Sequence, residues 1–366
     1  MIELGTGTLT CEQIVAVARS RKQVTLAPAV AQRLADGHAA VLRLAADGPV
    51  YGRSTGVGAL LTARLMDVPD ASADQQGAGP GRPAMAPGHG DGLLRSHATT
   101  AGPPLPSEHI RAMTAVRLEQ IAVGRSGLGP GTAAALVDLL NDNRMPTIGR
   151  YNSLGTGDVA PLARLTLTLP ADALDHGDGL ALMSSNALTI GRAALAVVDL
   201  DGLLAAATVV TALTYLARDG AAGALHAQAA GPFPGPQRIA RVLRRLGAGS
   251  RTPARLQDPY GLRAAPQTLG IAVDGAGALR EVATALTAAG LENPLVMSGP
   301  PAFVVHHGGF HTVHLDGAAL GLARAAVGSV NRLALLTEPP PEPADLQPSG
   351  AAAAQTRWPR PRHPAP

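Results

Sequence analysis

The chain has 366 residues, 46% of them hydrophobic and only 2% aromatic, and a formal net charge of +3. That is a globular composition, long enough for one large domain or two ordinary ones. The small basic excess and the scarcity of aromatics exclude a nucleic-acid-binding surface, and a single cysteine, Cys11, excludes an internal disulfide and a cysteine metal site.

With so few aromatics the core must be built from Ala, Leu and Val, which favours closely packed helices. The opening stretch lacks a basic start followed by an apolar run, so no secretory signal is expected. Tyr51–Gly58, "YGRSTGVG", reads as a Gly-rich loop, and Gln75–Gly92, rich in Gly, Pro and Ala, as a mobile one. "SEHIRAMTAVRLEQIAVG" predicts a helix with Ser107 as its N-cap, and "GTAAALVDLLNDN" predicts the next. A loop over Arg144–Pro161 follows.

Ala187–Arg218 reads as one long helix or two, with Gly191 and Gly202 as weak points. Its most apolar part, Gly202–Ala217, is about 16 residues and suits a buried helix better than a membrane span. Pro236–Leu246 is short and basic, Pro266–Ala289 is Ala-rich and ends at Gly290, and Leu315–Leu336 is the last helical pattern. Alternating strand patterns are scarce and no internal repeat is found. The expected fold class is therefore mainly α: a helical core over 1–337, loop-rich to about residue 170 and a central bundle over about 180–337. A Pro-rich disordered tail over 338–366 completes the chain, and a soluble, cytoplasmic protein is expected.

Four polar or Gly-rich loops stand out against the helices: "YGRSTGVG", "NSLGTGDVAPLA" (Asn152–Ala163), "QDPYGLR" (Gln257–Arg263) and "HHGGFHTVH" (His306–His314). In so aromatic-poor a chain, tyrosine and histidine gathered in loops point to function. Each loop also has a plainer reading. Gly155-Thr156-Gly157 is a tight turn or a backbone that does chemistry; Tyr51 caps a core edge or serves a site; Arg263 is a surface cation or grips an anion. His306, His307, His311 and His314 suggest a metal, but Gly308-Gly309 argues against a helical ligand pair and no acid lies at the spacing such a set needs, so no metal is expected.

Taken in order, these motifs resemble the aromatic amino acid lyase family, which includes histidine and phenylalanine ammonia-lyases. "YGRSTGVG" resembles the family's Tyr-Gly-hydrophobic-Asn/Thr-Thr-Gly-Phe-Gly loop, "RLEQIAVGRSG" its helix ending in Gly-x-Ser-Gly, and "GTGDVAPLA" its Ala-Ser-Gly-Asp-Leu-Ala-Pro-Leu-Ala segment. "QDPYGLRAAPQTLG", "NPLV" and "GGFH" resemble later blocks, and the resemblance runs from Thr8 to about Glu338. It implies long helices in a bundle with catalytic loops at one end, no external cofactor, and an alkylidene-imidazolone formed autocatalytically from Gly155, Thr156 and Gly157. The Gly157 nitrogen attacks the Gly155 carbonyl and two waters leave, one of them from Thr156.

Carried over residue by residue, Tyr51 matches the catalytic tyrosine and Arg263 the arginine that grips the substrate carboxylate. Gln257 and Tyr260 match its polar neighbours, with Tyr260 also implied as a catalytic residue, Phe310 matches an aromatic packed by the prosthetic group, and Ser184 the position of a functional Asn. Ser96-His97 matches the pair of histidine-specific members, so the implied reaction is loss of ammonia from an aromatic or heteroaromatic amino acid, histidine favoured. An aminomutase or a non-catalytic homologue is the alternative.

The resemblance also implies a homotetramer whose sites take loops from several chains, acting on a small-molecule amino acid with neither nucleic acid nor membrane as partner. Four departures are visible: Gly-Thr-Gly stands for Ala-Ser-Gly, Ser184 stands for a functional Asn that Asn186 replaces only if the loop shifts, Gly309 stands for another Asn, and the Pro-rich tail stands where a C-terminal helical domain is expected, a domain that a second chain could supply. A methyl carried from Thr156 would hinder the electrophilic carbon by about 1–3 kcal/mol, the usual range for one overpacked methyl.

Overall fold

A computed structural model describes residues 1–58, 89–153, 157–175, 177–311 and 313–333. Gly155, Thr156 and the tail over 338–366 lie outside the described residues, as does the loop expected from Gln75 as far as residue 88. In chain order the elements are β1 (Ile2–Leu4), α1 (Cys11–Ala18), β2 (Val24–Leu26), α2 (Pro28–Asp47), α3 (His89–His97), β3 (Ala101–Pro104), α4 (Ser107–Ala122), α5 (Pro130–Asn141), β4 (Gly149–Tyr151) and α6 (Val159–Thr166). Then come α7 (Asp178–Met183), α8 (Ala187–Ala217), α9 (Ala227–Ala230), α10 (Pro234–Arg245), α11 (Tyr260–Arg263), α12 (Ala265–Thr287), β5 (Leu295–Met297), β6 (Phe303–Val305) and α13 (Val313–Leu333).

The fold is mainly helical, as the composition requires. Local signals set the helix starts. Thr10 and Gln13 form a reciprocal capping box on α1, and proline opens α2, α5, α10 and α12, where its missing N–H is not needed. The described strands form three two-stranded pairs: β1 with β2 in parallel, β3 with β4 and β5 with β6 antiparallel. In the last pair Leu295 faces Val305 and Met297 faces Phe303.

At the centre lies α4, buried at every position from Ile110 to Ala122, including Arg111, Arg117, Glu119 and Gln120. It packs on α8, which also meets α12, and α12 meets α10 and α13. Small residues allow these approaches. A Cβ on Gly191 of α8 would stand 3.0 Å from the Ala112 carbonyl carbon of α4, and one on Gly235 of α10 would fall 2.0 Å from the Gly270 carbonyl oxygen of α12. Gly191 is thus a packing position rather than a break.

Several expectations change. Ser107 is the first helical residue of α4, not its cap; Pro106 holds the N-cap position and no side chain caps it. The last residues expected in the Gln75–Gly92 loop are helical, opening α3. The long pattern is a single helix that runs through Gly202. Nor is its apolar end buried within one chain: Leu203, Val210 and Leu213 are 65%, 59% and 59% exposed. This helix is long and apolar enough by length and composition to cross a membrane. It is apolar nearly all round, so one chain cannot cover every face.

Candidate active site

The N-terminal end of α8 gathers the first group of predicted residues. Gly157 has φ +116°, a conformation L side chains rarely adopt, and a Cβ there would lie 3.2 Å from Asn186 Oδ1. The turn is tied down by Asp158. Its N–H donates to the Ser185 carbonyl at 2.8 Å, and its carboxylate accepts from the Thr189 N–H at 2.8 Å, the Thr189 hydroxyl at 3.1 Å and the Ser153 hydroxyl at 3.4 Å. Burial pushes the Asp158 carboxyl above its usual range, and the Thr189 hydrogen bonds oppose that rise without cancelling it. A hollow of about 550 Å³ opens beside it, bordered by Thr99, Arg150, Asn152 and Arg192.

The residues just before α8 reach the chain's last loop. Ser184 Oγ accepts from Asn293 N–H at 3.1 Å, and the Asn186 amide donates to the Phe310 carbonyl. Asn293 Oδ1 in turn accepts from His307 N–H at 3.0 Å. The His307 tautomer follows from its partners: Nδ1 accepts from Gly309 N–H at 2.8 Å, so Nε2 carries the proton it gives to the Glu292 carbonyl. Its ring lies 6.5 Å from that of Phe310. Beneath, the buried Arg117 pairs with Glu292 at 2.9 Å and donates to the carbonyls of Ala181 and Leu182.

Tyr51 joins this group from the other side. Its hydroxyl accepts from Gly58 N–H at 3.1 Å and its ring meets His306 edge-on at 6.3 Å. Two residues on, Arg53 pairs with Asp178 at the start of α7 at 2.5 Å. His97 lies in the last turn of α3, which packs on α6 and α7. Its Nδ1 donates to the Leu93 carbonyl at 2.8 Å, which leaves Nε2 as an acceptor.

Gln257, Tyr260 and Arg263 are placed elsewhere, beyond the C-terminal end of α8. The Tyr215 hydroxyl, near that end, donates to the Leu262 carbonyl at 2.9 Å. From Ala187 to Tyr215 the helix advances about 42 Å at 1.5 Å per residue. Here Asp258 accepts from Ala221 N–H at 2.7 Å, and Arg263 Nε donates to the Asp258 carbonyl at 2.8 Å, leaving the Nη fork for a ligand. The Arg263 guanidinium lies 5.7 Å from the Tyr260 ring centre. Together with Gln257 and Gln267, Arg263 borders a hollow of about 350 Å³. Tyr260 is 55% exposed.

The aromatic amino acid lyase profile matches residues 9–173 and 169–349. Histidine ammonia-lyase of Streptomyces avermitilis is 31% identical over 369 residues, which cover 90% of this chain and 68% of that protein. The chain belongs to the aromatic amino acid lyase family. This is a family of carbon–nitrogen lyases. Among the most similar curated relatives, the chain spans about two thirds of their length, from 64% to 71%. Two solved structures share the fold of this lyase-family chain. Ergothionase from Treponema denticola has a TM-score of 0.76 at 20% identity, covering 90% of this chain and 70% of its own. Pantoea agglomerans phenylalanine aminomutase has a TM-score of 0.76 at 21% identity, covering 94% and 76%.

Three residues around these groups escaped the sequence reading: Asp178, Asp258 and Tyr215. Asp258 stands inside a quoted motif, and Tyr215 is one of only four tyrosines. Their roles depend on partners distant in sequence, which no local pattern reveals.

Proposed function

We propose that the chain eliminates ammonia from an aromatic or heteroaromatic amino acid, with histidine favoured, at a site assembled between copies of itself. The observation that carries this reading is the Gly157 turn. A glycine-only backbone conformation, pressed on Asn186 and locked by Asp158, suits a tripeptide that must fold back on itself, so the residues present fit the family's prosthetic group. That group supplies an electrophilic carbon for the substrate.

The chain's own residues do the rest. Tyr51, as the phenolate supported by the Gly58 N–H, takes the β-proton and becomes the phenol as ammonia leaves. The free Nη fork of Arg263 holds the carboxylate in bidentate fashion, a geometry Lys cannot reproduce. His97 Nε2 accepts from an imidazole N–H, which a phenyl ring lacks; the histidine ammonia-lyase relatives support the same substrate class. Asp158 and Ser184 hold the loops that carry Gly157 and Asn293, and Phe310 packs beside them. Gln257 and Tyr260 flank Arg263.

Arg263 and Tyr51 stand at opposite ends of α8, so they meet only across subunits. The exposed Leu203, Val210 and Leu213 supply the contact, each side chain contributing about 1.5–3 kcal/mol on burial. We infer a cytoplasmic homo-oligomer, a tetramer by family resemblance. The test is ammonia release from L-histidine against L-phenylalanine. Release from histidine is expected, and converting Ser96-His97 to Phe-Leu should move the preference toward phenylalanine. A preference indifferent to that exchange would remove His97 from the site. The phenylalanine aminomutase fold neighbour keeps one second reading open, migration of the amino group instead of its release, which the same assay separates.

A further inference from the structure

Tyr51 and the Gly157–Asp158 turn are attached to opposite ends of one short helix. At about 1.5 Å per residue the six residues of α7 span about 9 Å. At its first end Gly52, with φ +71°, lies so close that a Cβ would fall 2.1 Å from Leu180 Cδ2, and the Arg53 guanidinium reaches Asp178. Just past its last residue, the Ser185 carbonyl holds the Asp158 N–H. Arg117 fixes the helix between them through the carbonyls of Ala181 and Leu182.

The geometry points to Arg53 and Asp178 as positioning residues: the pair sets where the Tyr51 hydroxyl stands relative to the Gly157 turn, with α7 as the spacer. The inference rests on the reading of Tyr51 as proton acceptor. The two side chains are only 6% and 2% exposed. A buried ion pair seldom stabilises more than an apolar pair of the same volume, so stability alone does not account for it. What the charges add is direction. Arg53 Nη2 donates to Asp178 Oδ1 at 2.5 Å and to the Gly127 carbonyl at 3.3 Å. Asp178 Oδ2 accepts from Asp175 N–H at 3.0 Å. His38 closes the ring, with Nδ1 2.9 Å from the same Gly127 carbonyl and Nε2 2.8 Å from Asp175 Oδ2. Four chain segments thus meet at bonds of fixed direction, where an apolar pair would fill the space and still let the loop turn. The Tyr51 hydroxyl is held by Gly58, within its own loop, so the placement of the loop is the placement of the hydroxyl.

The experiment labels the full chain with 3-fluorotyrosine. The four tyrosines, Tyr51, Tyr151, Tyr215 and Tyr260, give separable fluorine resonances, and Tyr51→Phe assigns the first. The double variant Arg53→Met/Asp178→Leu replaces the charges at similar volume. Expected are a thermal midpoint close to the parent, unmoved signals for the other three tyrosines, a displaced or broadened Tyr51 signal, and a kcat at least tenfold lower with KM unchanged. Arg53→Lys, which keeps a charged donor that can serve both partners from one nitrogen, as Nη2 does, should give a Tyr51 signal closer to the parent's than the double variant's. A double variant whose Tyr51 signal coincides with the parent's would overturn the inference, as would an Arg53→Lys signal displaced as far as the double variant's. A displaced signal with unchanged turnover would uphold the positioning and instead remove Tyr51 from the chemistry.

Discussion

The hydroxyl of Tyr215, buried in the last turns of α8, donates to the carbonyl of Leu262 at 2.9 Å and so fixes the residue just before Arg263. Burial raises the Tyr215 phenol above its usual range, keeping it a neutral donor. Tyr215→Phe should lower stability by about 1–3 kcal/mol, since the Leu262 carbonyl loses its donor without exposure to water. KM for the amino acid should rise with it, because the arginine loop loosens. A thermal melt and steady-state kinetics check both; a lower midpoint with KM unchanged would separate this tyrosine from the binding loop.

Arg263 is the next target. Its Nε is committed to the Asp258 carbonyl, so the ligand meets the Nη fork. Arg263→Lys should weaken amino-acid binding by about 1–3 kcal/mol through loss of the second charge-assisted bond. Calorimetry with L-histidine measures this, and unchanged affinity would place the carboxylate elsewhere.

Assembly across subunits can be read by complementation. Tyr51→Phe and Arg263→Ala should each be inactive alone. Co-expressed, they should recover activity, because some sites then draw a parental Tyr51 from one chain and a parental Arg263 from another. A mixture as inactive as its parts would mean that one chain builds the whole site, against the roughly 42 Å that α8 puts between the two groups.

Asp158 gives a pH signature. Burial raises its carboxyl in the folded chain, so between the ordinary value of about 3.9 and the raised one the folded state holds more protons than the unfolded. Its contribution to stability is therefore greatest below that window and declines as pH rises through it. Asp158→Asn cannot titrate. The midpoint of the parent minus that of the variant should shrink as pH rises from below about 4 toward neutrality; parallel curves would show that Asp158 titrates alike in both states.

How much of this was legible beforehand follows from what each feature depends on. The helices announced themselves through Ala, Leu and Val at helical spacing, and the sites through Gly-rich loops in an aromatic-poor chain. Ser107 misled because a serine at a helix start reads as a cap, while Pro106 before it takes the cap position. The exposure of Leu203 and Leu213 was hidden because an apolar helix reads as buried whether its cover comes from its own chain or another. Asn186 is legible as a candidate beside Ser184, but its partner, the Phe310 carbonyl, is far off in sequence and only the fold brings it there. Arg53 is a charge within a motif, and only the fold brings Asp178 to it.

The central claim is that Gly155, Thr156 and Gly157 close into an electrophile, and the intact mass of the purified oligomer tests it most directly. The account predicts a species lighter than the genetic sequence by the mass of two waters, retained in Thr156→Ser and lost in Thr156→Ala, which has no hydroxyl to expel. Thr156→Ser should also turn over faster, because the added methyl no longer shields the carbon. Full genetic mass in the parent would contradict the account; if Thr156→Ser kept it too, Thr156 would be only a turn residue.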